Sequence, residues 1–206
     1  MDKFQIILLS FVLSLINPFG VQARAHNIQK EGFTIAVFPQ KSARYLYRAK
    51  INFRGKEITG LLLIKKKPEG SYRIALVTEM GLKLFEMGFY PNKKKPFVLY
   101  SCIKYMDKKV IISTLRKDFE SIFLNFSAWK KSKINQKGNQ YKYRYCYQGK
   151  RLYFCNKYGD ISKIIRKHWG FKQEIIKIKN CKNPYPQEIA IEHQHITLSI
   201  VLTFIK

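Results

Sequence analysis

The chain has 206 residues, 46% of them hydrophobic, with 13 Tyr and 15 Phe. That is enough for one domain with a real core, which excludes a second large domain and disorder through lack of apolar residues. A net charge of +26, from 39 Lys and Arg against 13 Asp and Glu, excludes basic partners and attracts anionic headgroups, nucleic acid or acidic proteins.

Residues 1–25 begin with Lys3, run apolar from Phe4 to Ile16, and end in a Pro18 breaker and Ala23-Arg24-Ala25. This order reads as a cleavable export signal whose apolar run is short for a membrane span. The expectation is a single domain over 26–206 in the periplasm or cell envelope. With no cysteine between Phe19 and His26, the signal offers no site for lipid attachment.

Phe33 to Phe38 reads as a first strand. From Arg44 to Arg54 the odd positions Tyr45, Tyr47, Ala49, Ile51 and Phe53 are apolar and Arg48, Lys50 and Asn52 are polar, which predicts a strand with one wet face. Turns at Gly55, Pro68 to Gly70, Met80-Gly81 and Pro91 to Pro96 separate further strands at 58–66, 72–79, 82–89 and 97–104. The unbroken Leu61 to Ile64 run predicts a strand covered on both sides. Asp107 is the expected N-cap of a helix over 108–126, with an apolar stripe at Ile111, Ile112, Leu115, Phe119, Ile122, Phe123 and Phe126. Residues 130–140 read as a loop. Strands follow at 141–147, 151–156, 161–168, 171–179 and 188–204, the last with a parity switch near Glu192 to His195 that implies a bulge or turn. The pattern predicts an α+β fold, an antiparallel meander with a helix packed on its concave face.

Lysines lie scattered, as at Lys65 to Lys67 and Lys93 to Lys95, with no basic tail. That distribution reads as a solvated surface or contact with an anionic membrane, and not as nucleic-acid binding. Cys102, Cys146, Cys155 and Cys181 match no zinc spacing. Cys146 and Cys155 flank a turn and are the pair expected to bond if they sit opposite on a hairpin, small buried thiols being the other reading.

The chain has no nucleophile elbow, phosphate loop, zinc helix or spaced carboxylate pair, so no enzyme, metal or cofactor is expected. His193 and His195 share strand parity and could reach one ion, yet a third ligand is missing. The chemistry that remains is apolar binding. Inward parity nominates Ile51, Phe53, Leu62, Ile64, Ile74, Leu76, Phe85, Met87 and Phe89 as cavity lining, with Leu115, Phe119 and Ile122 from the helix. Each could equally be plain core.

The segments TGLLLIK (59–65) and GSYRIALVTEMGLKLFEMGF (70–89), followed by the helix of 108–126, resemble the LolA/LolB-like carriers, most closely their Bacteroidetes relatives of unassigned function. The resemblance implies a half-open barrel of about eleven strands with a helical lid, enclosing a cavity for the acyl chains of lipoproteins or lipids. The role it implies is in envelope lipoprotein localisation, and a monomer is expected. The alternative is an exported structural or interaction module with a filled core. Those relatives commonly carry a lipid-attachment cysteine after the signal; its lack here points to a soluble carrier. The family's functional arginine matches no single position, and Arg44, Arg48 and Arg73 are candidates.

Overall fold

Alternation fixes which way each strand faces, and the strands then build outward from β1 (Ala43–Phe53). Tyr45, Tyr47, Ala49 and Ile51 are buried while Arg44, Arg48 and Lys50 face water. The computed structural model describes residues 37–38, 43–90, 94–123, 133–146, 150–156, 160–169, 171–179 and 185–206. The proposed signal and most of the Phe33 to Phe38 segment lie outside these; Val37 and Phe38 are buried but form a bend. Arg54 and Gly55 both have positive φ, 51° and 77°, as a two-residue hairpin turn matched to strand twist requires. The chain returns as β2 (Lys56–Lys66), then β3 (Tyr72–Val77), β4 (Lys83–Phe89) and β5 (Phe97–Cys102). Helix α1 (Lys109–Ile122) leads to a second meander: β6 (Lys133–Lys137), β7 (Gln140–Cys146), β8 (Lys150–Cys155), β9 (Ile161–His168), β10 (Phe171–Lys179), β11 (Glu188–His193) and β12 (Leu198–Phe204). The last strand pairs antiparallel with β1, so one twelve-stranded sheet runs β5-β4-β3-β2-β1-β12-β11-β10-β9-β8-β7-β6.

The sheet is open at β5 and β6, and it is strongly curled. Strands β4 and β8 stand eight positions apart, which at about 4.8 Å per strand is about 38 Å if the sheet were flat. Yet the rings of Phe89 on β4 and Phe119 on α1 are 6.3 Å apart. Two residues along, Ser121 meets β8 through Arg151 Nε (3.1 Å, to its hydroxyl) and Tyr153 OH (3.1 Å, to its carbonyl). Only a half-open barrel wrapped round the helix brings both strands to one helical turn.

Several sequence expectations need correction. The strands described number twelve, not about eleven: 133–137 pairs with β7 as a strand instead of forming a loop, and 188–204 is divided, while the 33–38 segment contributes no strand among the described residues. The helix is shorter than 108–126, and its N-cap is Lys108, which makes no side-chain cap bond; Asp107 does not serve. The Leu61 to Ile64 run is not covered on both faces: Leu62 and Ile64 are buried, but Leu63 is 42% exposed on the convex side. Glu188 to Phe204 is two strands joined at 194–197. Cys146 and Cys155 cannot bond to each other. The β7–β8 register sets Cys146 opposite Lys150 and Cys155 opposite Tyr141. Five residues of strand thus separate Cys155 from the position facing Cys146, or ~17 Å, where a disulfide needs Cα atoms about 4.4–6.8 Å apart. Cys155 is a buried free thiol.

Close packing of β2 on β3 depends on Gly60, where an added Cβ would run into the backbone carbonyl oxygen of Val77. Gly60→Ala is therefore expected to destabilise the domain by about 1–3 kcal/mol, read as a lower midpoint in urea unfolding with an unchanged slope.

Candidate functional site

The twelve nominated lining residues all lie on the concave side, but they divide into two groups. Leu62, Ile64, Ile74, Leu76, Phe85, Met87, Phe89, Phe119 and Ile122 are buried in one continuous core and pack on one another. Phe119 stacks on Phe123, their ring centroids 5.7 Å apart, and Phe123 stacks on Tyr72 at 4.2 Å. Ile51 and Leu115, which belong to the same core, and half-buried Phe53 packed against it also border a cavity of about 270 Å³ where the first turns of α1 meet β1 and the β11–β12 turn. Its other apolar walls are Ile58, Met106, Val110, Ile111, Ile196 and Leu198, with Thr114 on the helix side. A recess of about 510 Å³ adjoins it through Phe53, Arg54, Tyr105, Val110 and Ile111, and adds Lys56, Lys108 and Lys109. The site is thus an apolar hollow with a cationic rim, close to the lower end of small-molecule sites at roughly 300–1,000 Å³.

Strand parity found the floor of this hollow and missed its walls. Tyr105, Met106, Ile196 and Thr197 lie on connections, where period-two patterning says nothing. The one available signal was the apolar content of those connections.

Further along α1, polar groups clamp the helix to the second meander. Asp118 and Glu174 (β10) are fully buried. His193 on β11 contacts Asp118 Oδ1 through Nε2 and the Leu198 carbonyl through Nδ1, both at 3.1 Å, and Arg166 Nε donates to Glu174 Oε2 at 2.7 Å. Burial, then the charge of Asp118, pushes the Glu174 carboxyl up to about 8 against the pull of Arg166. Burial alone lowers His193, but the hydrogen bond and charge of Asp118 outweigh it and hold the imidazole above its ordinary value.

Donor atoms of Asp118, Glu174 and His193 lie within 4.8 Å of one another, a set that could hold a metal. The network accommodates protons better. Both His193 nitrogens are committed and Arg166 already donates to Glu174. Asp118 Oδ2 and Glu174 Oε1 accept from no donor, and a proton carried by Glu174, whose carboxyl burial pushes up, supplies one. His195 lies on the exposed 194–197 turn and faces the cavity, so strand parity does not pair it with His193. Arg44, Arg48 and Arg73 all face solvent. The inward arginine on β8 is Arg151, 1% exposed, beside Ser121 and 3.8 Å from Glu120 of the helix.

An open antiparallel sheet curled round one helix, hollow at one end, defines a half-open barrel class. A LolA superfamily protein from Nitrosomonas europaea is similar over 84% of this chain and 87% of its own, with a TM-score of 0.55 and 13% identity. The chain therefore has a LolA-like fold. A DUF1329 family protein from Desulfovibrio piger (TM-score 0.48, 8% identity, 82% of this chain and 86% of that one) is a more distant neighbour. So is an outer membrane lipoprotein-sorting protein domain from Vibrio parahaemolyticus (0.44, 10%, 82% and 86%). The fold assignment rests on the first of the three. No protein-family model matches the chain, and no curated protein matches its sequence.

Proposed function

We propose that this protein is an exported, monomeric carrier in the cell envelope that takes up the acyl chain of a lipoprotein or lipid and moves it without chemistry. The observation that carries the reading is the apolar hollow of about 270 Å³ beneath α1, bordered by Arg54, Lys56, Lys108 and Lys109. Burying each methylene there contributes about 0.8 kcal/mol, so an acyl chain needs no polar contact to be held, and the cations suit an anionic head at the mouth. A second reading, an interaction module with a filled interior, is favoured by the dense packing of Phe119, Phe123, Phe89 and Tyr72.

Native mass spectrometry with lipid extraction, on protein purified from its host's envelope, separates the two. Co-purifying acylated ligand supports the carrier. A ligand-free protein that also fails to bind a fluorescent fatty acid leaves the filled module.

The cationic rim makes its own prediction. Lys108→Glu combined with Lys109→Glu is expected to weaken fatty-acid binding roughly fivefold to tenfold at low salt and to leave binding of the matching fatty alcohol unchanged. Fluorescence titration at two salt concentrations checks this, since raised salt should erase the difference.

A further inference from the structure

In an up-and-down antiparallel sheet every second connection falls at the same end. Here the β1–β2, β3–β4, β5–α1, β9–β10 and β11–β12 connections share the end at which the cavity opens. Ten large apolar side chains are exposed among the described residues, and seven of them are at this end. Met80 (97% exposed) and Leu82 are on β3–β4, and Trp169 (87%) and Phe171 (70%) flank β9–β10. Tyr105, Val110 (70%) and Ile196 surround the cavity mouth. Leu63 and Tyr100 lie mid-strand, and Ile205 follows the last strand at the other end. The same end carries Arg54, Lys56, Lys104, Lys108, Lys109, Lys167 and Lys172, against Glu57, Glu79, Asp107 and Glu192. Trp169 also sits at φ 50°, a left-handed conformation that bulky residues rarely adopt.

Exposed aromatic and aliphatic side chains of this size cost solubility unless something covers them. Interleaved with cations, they match one surface chemically: the interface of an anionic bilayer, where aromatic rings settle at headgroup depth and Lys and Arg meet the lipid phosphates. We propose that this end of the barrel docks on an anionic lipid bilayer, with Trp169 and Phe171 inserted and the cavity mouth facing the membrane. The proposal extends the carrier reading by naming the surface from which the acyl chain is taken. Vesicle binding and fatty-acid uptake are measured separately, so either can fail alone.

The test is co-sedimentation of the purified chain with vesicles of phosphatidylcholine, with and without phosphatidylglycerol. The expected result is binding only when phosphatidylglycerol is present. Trp169→Ser with Phe171→Ser should weaken it roughly thirtyfold, and in a Trp129→Phe background the Trp169 emission should shift to shorter wavelength on binding. Both aromatic substitutions are at exposed positions, and an unchanged circular dichroism spectrum confirms that the fold survives. Arg48→Glu, on the convex face of β1, should leave binding within about twofold. The proposal is overturned if neither vesicle binds, which leaves this end to a protein partner. It is equally overturned if the aromatic substitutions have no effect, or if Arg48→Glu weakens binding as much as they do, since diffuse charge then suffices.

Discussion

Phe119→Ala is expected to lower the stability of the domain by about 3–5 kcal/mol, measured by urea unfolding followed by circular dichroism. The ring is 2% exposed and packs on Phe89 of β4 and on Phe123 at the C-cap of α1 itself, contacts that hold the second half of α1 in the barrel. Removing it leaves a void in a region that cannot collapse, because the curled sheet and the Asp118 and Ser121 bonds fix the helix on either side. Phe119→Asp should be worse still, since a carboxylate there has no partner. Val110→Ser, one helical face away and open to water, should change stability by no more than about 0.5 kcal/mol. A small cost for Phe119→Ala would mean that the second half of α1 is a lid over empty space and not part of the core.

Thr114→Trp should weaken binding of a long-chain fatty acid roughly a hundredfold while leaving the protein folded. Thr114 is half-buried on the helix side of the hollow and stands outside the packed core, so a large ring added there has the cavity to occupy. A ring that displaces about four methylenes of the ligand removes about 3 kcal/mol of binding, at about 0.8 kcal/mol each. Fluorescent fatty-acid titration gives the affinity, and thermal unfolding verifies the fold. Undiminished binding by a folded variant would place the ligand elsewhere.

Much of this architecture can be read along the chain, and the places where reading stops have physical causes. The strict alternation of β1 and the turn residues of the first meander locate five strands within a few residues, because a half-buried sheet imposes period two and a tight turn demands glycine or a positive φ. The short β6, polar at Lys133, Asn135, Gln136 and Lys137 with Ile134 its one apolar residue, shows no such pattern; it is a strand because β7 offers it a hydrogen-bonding edge. Leu63 illustrates the converse, an apolar residue in an apolar run that the pleat turns outward. The cysteine pairing failed for a related reason. Flanking a turn does not make two residues equidistant from it, and register depends on where the turn is centred.

The amino-acid sequence by itself determined the alternating faces of β1, the position of the amphipathic helix between two meanders, and a basic chain with a large aromatic content. Those follow from local periodicity and composition, which every neighbouring residue reports. Only the tertiary structure decided which inward residues fill space and which border it. Phe119 and Leu115 occupy the same helix stripe one turn apart, yet one is locked among aromatic rings and the other faces the hollow. The tertiary structure likewise gathered Asp118, Glu174 and His193 from three separate elements. The difference between core and cavity depends on how tightly the sheet curls and how far along it the helix lies, quantities set by contacts across the whole barrel that no stretch of chain encodes.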